Sequence, residues 1–202
     1  MTKYNFTSIF ILTSLFCIVL SNTSSLGGVF STPHFVPAQS MAFGVEPELT
    51  LTSGAGFAIN LKYTQGLSDL MDASVILGAG SGPRRFRIGG NASFDFFPDV
   101  EGQPGIGLAL SALFIRLKDY NQVEVITTPY IHKAFLNKGK EFEPFFALPF
   151  GVGIGNNSSI ALTSVVIGSF FKFSEKIRFV MEFGVAVNNT ESYLSGGFVY
   201  YP

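Results

Sequence analysis

Tryptophan is absent from the 202 residues, cysteine occurs once and histidine twice. The lone Cys17 excludes a disulfide framework. It sits inside an apolar leader, so removal of the leader also removes any cysteine nucleophile. Leu15 and Phe16 before it are not the small residues that lipid attachment prefers. His34 and His132 offer no zinc-ligand spacing and little material for a serine-type triad. Charge is scarce too, at 13% against the roughly 25% of an ordinary soluble domain. Its balance, 13 basic against 14 acidic residues, provides no cationic footprint for nucleic acid, which excludes that partner. Disorder is excluded by a 47% hydrophobic content and a positive mean hydropathy, and the length is short for two domains.

What is present begins with a leader. Lys3 is the only charge before Glu46, and the apolar run 9–20 gives way to Ser21-Asn22-Thr23-Ser24-Ser25. The run is too short for a spanning helix and is broken by Thr13 and Ser14, so 1–27 is expected to be a secretory signal peptide, cut after Gly27 or Thr23. Residues 28–41, with Pro33 and Pro37 and no periodicity, are expected to form an N-terminal tether. Residues 42–202 are then a single domain.

In that domain the hydrophobic period is two. Phe57, Ile59, Leu61 and Tyr63 alternate with Ala58, Asn60, Lys62 and Thr64. Phe86, Ile88, Gly90, Ala92, Phe94 and Phe96 alternate with Arg85, Arg87, Gly89, Asn91, Ser93 and Asp95. Residues 177–188 repeat the division, and weaker alternation covers 42–51, 70–80, 105–118, 122–134, 141–155, 160–173 and 193–201. Short turn-forming stretches, among them Ser53-Gly54-Ala55, Ser81-Gly82-Pro83 and Asp119-Tyr120-Asn121, separate these segments. The expected fold is an all-β, antiparallel up-and-down barrel of about ten strands with short loops, eight being the alternative count.

The second face decides the solvent. In a soluble lipocalin-like barrel it would be rich in Lys and Glu, whereas here it is mostly Gly, Ala, Ser, Thr and Asn with scattered charges. Such a face suits the inside of a narrow barrel whose apolar face meets lipid. Glu46, Glu48, Lys62, Arg85, Arg87, Asn91, Asp95 and Glu182 are therefore the expected lumen-lining residues. The three glutamates lie on the first and ninth strands, separated by the last once the barrel closes. They form either a paired plug or a charged pore. Pro129, Pro144 and Pro149 fall inside the sixth and seventh strands, where each removes a ladder donor, so a weakened or bulged seam is expected there. Aromatic residues near segment ends, including Tyr63, Phe94, Phe96, Phe142, Phe173, Phe179, Tyr193 and Tyr200, suggest interfacial girdles. Gly151, Gly153 and Gly155 lack phosphate-loop spacing and read as small inward positions.

Gly-Val-Glu-Pro-Glu-Leu-Thr-Leu at 44–51, Phe-Arg-Ile-Gly-Gly at 86–90, Glu-Pro-Phe at 143–145 and the terminal Ser-Gly-Gly-Phe-Val-Tyr-Tyr resemble small, signal-bearing outer-membrane β-barrel proteins of Gram-negative bacteria. The resemblance covers residues 42–202. It implies an outer-membrane location after export, outer-membrane lipid and the barrel-insertion machinery as partners, and a small solute as a candidate passenger. It also implies a non-enzymatic role, structural or as a narrow passive channel, with no cofactor and no metal. A chain ending Tyr200-Tyr201-Pro202 departs from the aromatic finish typical of such barrels. The competing readings are a soluble exported binder of an apolar ligand and a membrane-embedded hydrolase or acyltransferase.

Overall fold

The structure, a computed structural model, describes residues 36–52, 55–82, 84–137, 140–155 and 158–202. The leader over 1–27, with Cys17, lies outside the described residues, as do His34, most of the tether, and the turn positions Ser53, Gly54 and Pro83. The strands are β1 (Met41–Thr50), β2 (Gly56–Ser68), β3 (Met71–Gly80), β4 (Arg84–Phe97), β5 (Gly105–Leu117) and β6 (Asn121–His132). There follow β7 (Phe135–Asn137), β8 (Lys140–Ala147), β9 (Phe150–Gly155), β10 (Ser158–Lys172), β11 (Ile177–Asn188) and β12 (Tyr193–Tyr200). The β6 and β7 segments share one line of the wall, and β8 and β9 share the next, because Val123↔Ile154, Tyr130↔Ala147 and Phe135↔Phe142 all keep one register. Pairing of β1 with β12 closes the sheet, giving a ten-strand antiparallel barrel. Among the described residues there is no helix.

Alternation builds this wall because each inward residue is flanked by two outward ones. In β1, Phe43, Val45 and Leu49 are exposed while Glu46, Glu48 and Thr50 are buried. Val75, Ile88, Leu110, Val125, Ile154 and Ile167 continue the exposed apolar surface around the barrel. This polarity is the inverse of a soluble binder's, and it runs against the lipocalin-like alternative, because the apolar face looks outward and the polar one inward. Near the end that carries the C terminus, Phe142, Phe171, Phe179 and Phe198 form a row across β8, β10, β11 and β12, with ring centroids 5.1, 6.2 and 5.3 Å apart. That row is a one-sided girdle. Tyr193, expected in a girdle, instead points inward.

Two clusters of apolar side chains pack inside the barrel. Ile76, Leu113, Ile115, Leu117, Ile126 and Leu162 pack together toward the mouth opposite the termini. A second cluster joins Tyr130, Phe145, Ala147, Val166, Phe170, Val180 and Tyr193. The Tyr193 ring lies directly on Gly184, where a Cβ would collide with it. At the terminal mouth, residues 37–40 close over the end of β2: Gln39 N donates to the Gly66 carbonyl at 3.1 Å and Gly66 N to that of Ser40 at 2.9 Å.

Four prolines interrupt the ladder, each toward one neighbour. Between β6/β7 and β8/β9, pairing lapses at Pro129 and again at Pro144. Between β8/β9 and β10 it lapses at Pro149. Their carbonyls still accept, from Leu148 N at 3.0 Å, Lys133 N at 3.2 Å and Ser164 N at 3.0 Å. The register is the same on both sides of each lapse, so this seam has missing donors and no bulge. Pro47 makes the fourth lapse, between Val45↔Phe198 and Glu48↔Ser195 of the closing pair. The bulges fall elsewhere, at Gly66/Ser68, Arg84/Phe86, Asp95/Phe97 and Thr163/Ser164.

Candidate functional site

The inward polar side chains form three connected layers along the barrel axis. At the mouth opposite the termini, Arg84 bonds Glu48, reaches Thr50 Oγ1 at 3.3 Å, and places Nε 2.9 Å from Glu191 Oε2. Arg87 Nη2 stands 3.7 Å from the other Glu48 oxygen, and Gln122 Nε2 donates to Glu124 Oε1 at 2.7 Å. Glu191 belongs to the 189–192 connection, which turns into the barrel so that Thr190 and Glu191 are both buried. Burial pushes the Glu191 carboxyl above its ordinary range, and Arg84 beside it pulls the other way.

The middle layer joins β11, β12, β1 and β2. Ser195 Oγ donates to Glu46 Oε2 at 3.3 Å, the Tyr193 hydroxyl donates to Glu182, and Asn60 Nδ2 donates to Glu48 Oε2 at 3.3 Å. Lys62 is the cation facing Asp72, Glu46 and Glu182. On the opposite wall, Asn91 donates to Ser93 Oγ at 3.0 Å and accepts from Ser111 Oγ at 3.0 Å.

At the terminal mouth, His132 lies between two carboxylates, with Nδ1 2.8 Å from Glu143 Oε1 and Nε2 3.4 Å from Asp95 Oδ2. Arg178 Nη1 is 2.6 Å from Glu141 Oε1 and 3.7 Å from Glu143 Oε2. Lys133 Nζ donates to Asp99 at 2.6 Å and to the carbonyls of Val100 and Gln103 at 2.6 and 3.0 Å, which ties the 98–104 turn to the wall. The His132 ring is thus held between two carboxylates, with the Tyr130 ring beside it at 6.0 Å between centroids.

Of the residues expected to line a lumen, Glu46, Glu48, Arg87, Asn91, Asp95 and Glu182 are buried inside, and Lys62 is inward and half-buried. Arg85 is a correction. The bulge at Arg84/Phe86 shifts the strand by one position there, so Arg84 takes the interior and Arg85 is exposed. The proline positions are wall positions: Pro149 is buried, and Pro129 and Pro144 are half-buried. Residues that the sequence reading missed include Glu124, Glu143, Tyr193 and Glu191. Glu124 and Glu143 were readable from the alternation of 122–134 and 141–155, whereas nothing in a loop position such as Glu191 announces burial.

Glu46 and Glu124 are 0% exposed, and Glu48 and Glu182 are 1% exposed. Carboxylates outnumber cations among the described buried side chains.

No family model and no curated protein matches the chain. Among solved structures, an outer-membrane channel from Pseudomonas putida F1 is 8% identical, with a TM-score of 0.53 over 87% of this chain and 100% of that one. The KdgM porin is 10% identical, with a TM-score of 0.42 over 79% of this chain and 98% of that one. A de novo designed transmembrane β-barrel is 12% identical, with a TM-score of 0.41 over 84% and 100%. The fold of this chain is that of the outer-membrane channel, a closed antiparallel transmembrane barrel with its polar residues inside.

Proposed function

We propose that the protein is an integral outer-membrane barrel of a Gram-negative bacterium whose interior is a closed plug, serving as a non-enzymatic, non-conducting structural element of the envelope. Export through a cleaved signal peptide over 1–27, assembly by the barrel-insertion machinery and an outer-membrane lipid surround belong to the same reading. The observation that carries it is the inaccessibility of Glu46, Glu48, Glu124 and Glu182 to water at mid-depth. In an open pore these would be the wettest side chains. Glu46, Glu48, Lys62, Arg87, Asn91, Asp95 and Glu182 act here as cross-braces between strands, and removal of one partner leaves a buried charge uncompensated. Phe145 and Phe170, 6.0 Å apart at their centroids, are both buried inside the barrel and support the same reading.

The test is planar-bilayer conductance of the refolded full chain beside a Phe145→Ala/Phe170→Ala variant. The expected result is silence from wild type, in a preparation whose gel mobility changes on heating as a folded barrel's does, and steady current from the variant. Steady current from wild type would overturn the plug. A second reading, a channel closed at rest, draws on the buried 189–192 connection and its Glu191–Arg84 pair. It expects wild-type silence and current from Glu191→Ala alone.

A further inference from the structure

At the mouth opposite the termini, outward-facing charge is confined to one patch on the ends of β4 and β5. The β4 bulge creates it. Arg84 pairs with Leu117 and Phe86 with Arg116, so Arg85 is the extra residue and turns out beside Phe86, on the face that Arg116 shares. Both arginines are exposed, and Lys118, one outward position nearer the mouth, is exposed as well. The 118–120 turn adds one acid, Asp119, while the connections 51–55, 81–83, 156–157 and 189–192 hold no charge except the buried Glu191.

Two guanidinium groups opposite each other on a sheet face repel. Among the described residues Arg85, Arg116 and Lys118 form no ion pair, whereas at the terminal mouth Lys133, Lys172 and Arg178 pair with Asp99, Glu175 and Glu141. Immediately toward the barrel middle, the register Leu77↔Ile88↔Phe114↔Val123 sets four exposed apolar side chains in one row across β3 to β6. The patch is therefore amphipathic along the barrel axis, with hydrocarbon contact on one level and three cations on the next. Cations are tolerated on a lipid-facing wall at this end, where their heads rise to the head-group layer. Guanidinium forks engage phosphate oxygens in pairs, and a third cation matches a second negative charge.

We propose that the outward ends of β4 and β5 bind a membrane lipid with a phosphomonoester head group. Its phosphate sits between Arg85 and Arg116 with Lys118 above, and its acyl chain lies along Ile88 and Phe114. This rests on the membrane-barrel reading and is independent of whether the interior conducts.

The experiment uses the full chain refolded in phosphatidylcholine vesicles that carry a small admixture of diazirine-tagged phosphatidic acid or, in parallel, of equally tagged phosphatidylcholine, the adducts being mapped by mass spectrometry. Phosphatidic acid should label β4 and β5 about tenfold more than the other lipid-facing strands, the scale of attraction between interfacial arginines and an anionic lipid. The phosphatidylcholine probe should label the belt evenly. Arg85→Gln/Arg116→Gln should bring phosphatidic acid labelling down to that even level, and Arg116→Gln alone should lower it in the same direction. Lys140→Gln/Lys176→Gln, at exposed positions by the terminal mouth, should leave the excess intact. Unboiled gel mobility confirms that each variant is folded. Even labelling by phosphatidic acid, an excess that survives loss of both arginines, or an excess equally reduced by the terminal-mouth variant would overturn the site. A belt that neither probe labels would overturn the membrane reading itself, and the site with it.

Discussion

Two parts of the wall lack the same hydrogen bonds and differ in what stands behind them. From β6 to β10, Pro129, Pro144 and Pro149 leave donors missing, yet Tyr130, Phe145, Ala147, Val166 and Phe170 pack across the inner face. At the β1–β12 seam one proline leaves one donor missing, and behind it are Ser195, Gly197 and carboxylates. A groove lies outside the second region. A missing ladder bond, worth about 1 kcal/mol, does not by itself open a wall. What decides is whether large side chains span the lapse from inside.

The strongest way to break the contrast is to strip the backed region. Phe170→Ala removes a buried ring and should cost about 4 kcal/mol in reversible urea unfolding from vesicles, the size expected for a large-to-small interior change. If the loss were under about 1 kcal/mol, the ring would not be a brace. Arg84→Met tests the charged side. It leaves Glu48 and Glu191 facing each other without their shared cation and should cost about 3 kcal/mol in the same assay.

Pro47→Val sharpens the comparison in the other direction. It supplies the absent N–H, so the seam should gain about 1 kcal/mol and Gly196 and its neighbours should exchange their amides more slowly. The smallest effect belongs to Glu191→Gln. Because burial raises this carboxyl from its ordinary 4.5, the folded state holds the proton more tightly than the unfolded chain. Its stabilising contribution is therefore full below the ordinary value and is lost as pH rises through the raised one. The glutamine variant should flatten that slice of the pH profile and change neutral-pH stability by less than about 1 kcal/mol.

The strands were legible because lipid outside and a polar filling inside force a strict period of two, and the expected segments 84–97 and 177–188 coincide with β4 and β11. Three features escaped for physical reasons. A bulge changes which of two adjacent arginines points inward, and no local pattern distinguishes Arg84 from Arg85. Tyr193 looks like a girdle residue near a strand end, but its hydroxyl has a buried acceptor in Glu182 and its ring has the flat surface of Gly184. Glu191 is buried by a loop turning inward, a tertiary event without a periodicity. Pro47 carried the same signal as Pro129, Pro144 and Pro149, and its importance follows from barrel closure, which makes β12 its neighbour.

The most direct measurement uses the chemistry that the strands lack. Cys17 is the only cysteine, so in a Cys17→Ser background a single cysteine placed at Ser164 or Ser74, both inward and buried, reports on the interior alone. The folded barrel in vesicles is treated with a charged, water-soluble methanethiosulfonate, and a rim control carries the cysteine at Ser174. A sealed interior requires that Cys at 164 and 74 stay unmodified until the barrel is unfolded while the rim control reacts at once. Prompt modification of the two interior positions in a folded barrel would contradict it.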